Sequence, residues 1–72
     1  MRTYYQIDGD NNVFPSLHEA KWHCEIAYTP RERLRYLQDT CIIKVVNEEA
    51  VSYTRVNVSE SGALSYGRTI RC

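Results

Sequence analysis

The sequence predicts a small α+β domain in two layers: a mostly antiparallel sheet of about four strands, with one longer and one short helix on one face, in the order β-α-α-β-β-β. Three observations lead to this prediction. Segments rich in β-branched and aromatic residues lie near both ends of the chain, two capped helix starts lie between them, and the whole chain has 72 residues. A chain this short cannot bury two separate cores, so we expect a single domain over residues 1–72.

The first predicted strand is TYYQID at 3–8, and the turn formers DGDNN follow within the next residues. Ser16 and Glu19 then have the spacing of a capping box, in which each side chain satisfies a backbone N–H at a helix start. An angular step of about 100° per residue places the expected buried residues of this helix on one stripe. They are Leu17, Ala20, Cys24, Ala27 and Tyr28.

A second, shorter helix is predicted to follow directly. The first helix should end near Tyr28, because Thr29 precedes Pro30 and the residue before a proline is disfavoured in helical conformation. Thr29, Pro30 and Glu32 then supply an N-cap, a first-position proline and a second capping box. Two leucines of this helix are expected to face inward, Leu34 and Leu37.

Three strands are predicted in the C-terminal part of the chain, arranged as a meander. They are CIIKVVN at 41–47, VSYTRVNV at 51–58 and SYGRTIR at 65–71. A slip of one residue would exchange the two faces of the last hairpin. The register we prefer places Val56, Val58, Tyr66 and Ile70 on the core side, and it leaves Tyr53, Arg55, Thr69 and Arg71 outside.

Composition excludes several classes of protein. Lys plus Arg and Asp plus Glu are both 9, so no net field concentrates the chain on nucleic acid or on an anionic membrane. No apolar run is long enough to cross a bilayer, and the N-terminus lacks the apolar core of a signal peptide. We therefore expect a cytoplasmic protein with reduced thiols at Cys24, Cys41 and Cys72.

No motif in the sequence predicts catalysis, a cofactor or a metal. His18 and His23 are five residues apart, whereas two helical histidines that bind one zinc ion are four apart. Asp8, Asp10, Asn12 and Glu19 match the oxygen positions of a calcium loop, but Val13 replaces its required glycine. Nucleophile elbows and glycine-rich phosphate loops are also missing from the chain. We expect a protein that is not an enzyme and that uses no cofactor.

Two groups of side chains are candidates for a binding surface. Trp22 and Ile26 are four residues apart and lie opposite the predicted buried stripe of the first helix, so they either lie under the second helix or form a contact between chains. The other group is basic. It combines a ridge on the second helix with a cluster on the outer sheet face, and its members are Arg31, Arg35, Gln38, Tyr53, Arg55 and Arg71.

The function predicted from these features is a protein-interaction module that binds a protein partner or itself, as in a homodimer, through Trp22 and Ile26. The alternative is a nucleic-acid-binding domain that uses the arginine ridge. The segment FPSLHEAKWHCEI and the terminal hairpin also resemble small uncharacterised bacterial α+β proteins known from structural genomics. The residues that carry this resemblance are core and capping positions, namely Phe14, Leu17, Glu19 and Ala20. It implies no activity.

Overall fold

The computed structural model describes residues 2–72. Its strands are β1 Thr3–Ile7, β2 Val13–Phe14, β3 Cys41–Val46, β4 Glu49–Val58 and β5 Leu64–Arg71; its helices are α1 Leu17–Ile26 and α2 Pro30–Glu32, and α2 continues into a π-helical segment at Arg33–Leu37. Over the described residues the five strands form one antiparallel sheet in the order β2-β1-β3-β4-β5. The predicted α+β class and antiparallel sheet are confirmed.

The predicted strand count and element order are wrong, because the turn after β1 leads into a further strand. Gly9 adopts a φ of 86°, Asp10 donates its N–H to the carbonyl of Ile7, and the Asp10 side chain accepts from the N–H of Asn12. The chain therefore folds back, and Val13 and Phe14 pair with β1. Two residues are too few to show the alternation from which a strand is predicted. The observed order is β-β-α-α-β-β-β.

Both predicted helix starts are present. The Ser16 side chain accepts from the N–H of Glu19 at 3.1 Å. At the second start, Thr29 and Glu32 form the reciprocal capping box. The short second helix changes at Arg33 to π-helical hydrogen bonding, and the chain leaves it through Asp39, which has a φ of 63°.

The core lies between the helices and one face of the sheet. It is built from the buried side chains of Ile7, Ala20, Cys24, Leu37, Ile42 and Val56, with Leu17 and Tyr28 among the half-buried side chains around it. Ala20, Cys24 and Leu37 are thus buried as predicted, whereas Ala27 is exposed. Since the helices contribute to this face only, we call it the inner face of the sheet and the opposite one the outer face.

A β-bulge corrects the predicted register of the last hairpin. Thr54 pairs with Thr69 and Val56 pairs with Tyr66, so β5 contains one residue more than β4 over the same stretch. Beyond this extra residue, each side chain of β5 projects to the face opposite to the one predicted. Val56, Val58 and Tyr66 belong to the core or pack against it, as predicted.

The residues beyond the bulge have changed faces relative to the prediction. Ile70, which we expected in the core, pairs with Tyr53 on the outer face and is 46% exposed. Thr69 and Arg71, which we expected outside, pair with Thr54 and Ser52 and lie on the inner face.

Candidate functional site

Trp22 and Ile26 are exposed on the surface of α1. Their exposed fractions are 56% and 59%, while Ala20 and Cys24 on the opposite side of the helix are completely buried. Of the two positions that the sequence leaves open for this pair, the structure excludes burial under the second helix. Within residues 2–72 no element covers them.

Arg33 fixes the position of the second helix relative to α1. Its guanidinium donates to the carbonyl of Glu25 at 2.7 Å and to the carbonyl of Gly62 at 3.0 Å. These two bonds hold the start of the π-helical segment between the last turn of α1 and the turn before β5. The segment that follows packs against β4.

The outer face of the sheet carries a second apolar surface that sequence reasoning missed. Strand pairing aligns one residue from each strand into a row across the whole sheet, in the order Val13, Gln6, Ile43, Tyr53 and Ile70. None of the five is charged, and the two residues at its ends, Val13 and Ile70, are exposed. Finding this row from sequence would have required both the short strand β2 and the bulge in β5.

The basic residues of the nucleic-acid alternative are not brought together. Arg71 lies on the inner face, whereas Tyr53 and Arg55 lie on the outer face. On the second helix Arg31, Arg35 and Gln38 are all exposed, but the π-helical segment has more residues per turn than the α-helix for which the ridge was predicted. The Arg35 guanidinium stacks over the Tyr36 ring at 5.5 Å.

His23 is not a solvated helix residue. Its ring lies 4.9 Å from the Phe14 ring and 6.0 Å from the Tyr28 ring. Its Nε2 is 3.5 Å from the Asp10 carboxylate, which also accepts from the Tyr28 hydroxyl at 3.2 Å. These contacts connect Asp10 in the β1–β2 turn to His23 on α1, so the role of His23 is structural. Across residues 2–72, no group of three or more His, Cys, Asp or Glu side chains has an arrangement that could hold a metal ion.

The described cysteines are free thiols in three different environments. Burial raises the pKa of the Cys24 thiol to about 11, and burial also raises the pKa of Cys41. Because the thiolate is the nucleophilic form of cysteine, Cys24 is unsuited to nucleophilic chemistry at neutral pH. Cys72 is exposed.

Comparison of the chain with models of known protein families, with curated proteins and with solved structures found no match. None of the helices in the described part of the chain has both the length and the apolar character needed to span a membrane.

Proposed function

We propose that the protein is a non-enzymatic interaction module that self-associates, and that Trp22 and Ile26 lie in the contact between two copies of the chain. The observation that carries the proposal is the exposure of this pair, 56% and 59%, on a helix whose other side is fully buried. A tryptophan removes a large apolar area from water with little loss of rotamer freedom, which is why it is enriched at the centres of interfaces.

A second copy of the chain is the partner that the charges favour. The chain has equal numbers of basic and acidic residues, so two copies do not repel each other at neutral pH. Glu25 is exposed next to Trp22 on α1, whereas Lys21 is half-buried with its ammonium group 4.7 Å from the Tyr66 ring. In a two-fold symmetric contact the same surface is used by both copies, and a surface with both signs of charge can place unlike charges opposite each other.

The size of the contact requires more than these two side chains. A stable interface buries about 800 Å² on each partner, whereas one tryptophan contributes only about 150–250 Å². The remaining area would come from the polar residues of α1 around the pair. Truncating Trp22 should then remove the anchor of the contact and leave the polar rim.

Size-exclusion chromatography with light scattering tests this proposal. The wild-type chain is expected to be a dimer at high micromolar concentration. Trp22→Ala should be a monomer with native-like far-ultraviolet circular dichroism, because loss of an interface anchor costs about 2 kcal/mol or more, a factor of roughly thirty in affinity. Tyr36→Ala is the matched control, since Tyr36 is an equally exposed aromatic residue, at 57%, that lies outside α1.

Two results would contradict the proposal. One is a wild-type chain that stays monomeric at the highest concentration reached. The other is a dimer that Trp22→Ala leaves unchanged, which would direct attention to the outer sheet face instead. The separation of Arg71 and Arg55 on opposite faces of the sheet argues against the nucleic-acid alternative.

A further inference from the structure

A cleft of about 230 Å³ opens on the inner face of the sheet, beside the first turn of α1. Its lining includes two cations, Lys44 and Arg71, and four hydroxyl groups, those of Tyr5, Ser52, Thr54 and Thr69. The apolar side chains of Leu17 and Ile42 complete it. Among residues 2–72, no acidic side chain lines the cleft. The cleft thus borders the apolar core at Ile42 and Leu17, and its polar groups lie on the strands beyond them.

Strand pairing explains how these residues come together. Lys44 of β3 pairs with Ser52 of β4, and Ser52 pairs with Arg71 of β5. Paired residues of antiparallel strands project to the same face, and neighbouring strands are about 4.8 Å apart. The backbones that carry the two cations are therefore about 10 Å apart, with Ser52 midway between them. Arg71 reaches this row only because of the bulge in β5.

The polar groups of the cleft have unused hydrogen-bonding capacity. Among the described residues neither Lys44 nor Arg71 has an acidic partner within ion-pair distance. Ser52 is only 8% exposed, and its hydroxyl takes part in none of the side-chain hydrogen bonds formed by residues 2–72. The Ser52 hydroxyl is nevertheless open to solvent, because among the described residues only Arg33 Nε is fully buried without a hydrogen-bond partner. It is therefore free to donate to a group in the cleft.

Thr54 and Thr69 together supply one further hydrogen-bond donor. Their Oγ1 atoms are 2.8 Å apart and share a single hydrogen bond. One hydroxyl donates to the other, so the accepting hydroxyl keeps its own proton for a third group. The cleft therefore presents an ammonium group, a guanidinium group and hydroxyl donors together, with the positive end of the α1 dipole at Leu17.

We propose that this cleft binds a phosphoryl group, either as inorganic phosphate or as part of a phosphomonoester. Arg71 supplies two parallel N–H donors, Lys44 supplies a point charge, and the Ser52 hydroxyl donates between them. A carboxylate would occupy Arg71 alone, whereas a tetrahedral group with three or more oxygens uses donors from all three strands. The site is independent of the proposed dimer, because neither Trp22 nor Ile26 lines the cleft.

Titration with inorganic phosphate and with glycerol 2-phosphate, at constant ionic strength set with chloride, tests the proposal. Backbone amide NMR shifts of Lys44, Ser52 and Thr54 should move and saturate. Lys44→Gln and Arg71→Gln should each weaken binding about tenfold, the effect of losing one charge-assisted hydrogen bond. Ser52→Ala should weaken binding without any change in net charge.

Arg68→Gln is the matched control, because Arg68 lies on the same strand, carries the same charge and does not line the cleft. It should bind as the wild type does. Tighter binding of glycerol 2-phosphate supports the proposal with an organic phosphomonoester as the ligand, and equal binding supports it with free phosphate. The absence of saturable shifts, or equal weakening by Arg68→Gln and Arg71→Gln, would overturn it, as would full binding by Ser52→Ala, Lys44→Gln and Arg71→Gln.

Discussion

At the scale of single residues, Gly62 occupies the tightest position of the three glycines. Its φ is 86°, and a Cβ built on it would lie 2.5 Å from Cβ and 2.7 Å from Cα of Pro30. The carbonyl oxygen of Gly62 also accepts a hydrogen bond from the Arg33 guanidinium. The turn before β5 and the start of α2 are thus in close backbone contact, and only a residue without a side chain fits between them.

Gly62→Ala should therefore destabilise the protein by about 3 kcal/mol, since it combines left-handed strain with a clash against backbone atoms. Gly9→Ala is the control. Gly9 has the same φ of 86° but nothing within 4 Å of its built Cβ, so it should lose only about 1 kcal/mol. Urea denaturation of the two variants checks the difference. Equal losses would show that the contact with Pro30 does not matter.

At the scale of elements, the second helix depends on its cap. Only three residues are α-helical before the π-helical segment begins, and a helix this short has no stability of its own. The capping box at Thr29 and Glu32 and the two hydrogen bonds of Arg33 hold it in place. The segment is therefore a docked turn whose conformation follows from its attachments.

The capping box should make stability depend on pH. The hydrogen bond from the Thr29 backbone N–H, and then the bond with its side chain, hold the pKa of Glu32 below its ordinary value of 4.5. Because the pKa is lowered in the folded state, this stabilisation is complete above pH 4.5 and is lost as the pH falls through the folded value. The free energy of unfolding of wild type minus that of Glu32→Gln should be constant near neutral pH and decrease in acid. A difference that is constant down to acid pH would contradict this assignment.

At the scale of the whole molecule, stability is concentrated on one side of the sheet. The main cluster of buried residues lies between the inner face and the helices. On the outer face Val45 is buried, at 8% exposure, while the outer row ends in two exposed apolar side chains. An antiparallel sheet commonly packs one face on a core and leaves the other to solvent. In this protein the face toward solvent also carries exposed apolar side chains, those of Val13 and Ile70.

Two isoleucines test this asymmetry. Ile42 on β3 faces the core and is 1% exposed, whereas Ile70 on β5 faces outward. Ile42→Ala should destabilise the protein by about 2–5 kcal/mol, the range for a buried large-to-small change. Ile70→Ala should lose less than about 1 kcal/mol, as measured by thermal or urea denaturation at a concentration where the chain is monomeric. A comparable loss at both positions would mean that the outer face is also packed.

The sequence by itself determined those features that depend on neighbours in the chain. Capping residues predicted both helix starts, because a cap is an exchange of hydrogen bonds between residues three apart. Periodicity predicted that Ala20, Cys24 and Leu37 are buried, as the core confirms. The three C-terminal strands were also recognised, since each is long enough to show its composition. Trp22 and Ile26 were identified as an unusual apolar pair for the same local reason.

Tertiary structure decided the features that depend on pairing between distant residues. Strand β2 forms only because β1 is beside it, and the bulge in β5 arises from the pairing of two whole strands. That one extra residue moved Ile70 out of the core and Arg71 into the cleft beside Ser52. The exposure of Trp22 was likewise decided by tertiary structure, because it depends on where the second helix lies, and no pattern within the chain fixes that. Side chains on a strand alternate with a period of two, so a single inserted residue exchanges the faces of everything beyond it, and no local pattern reveals the insertion.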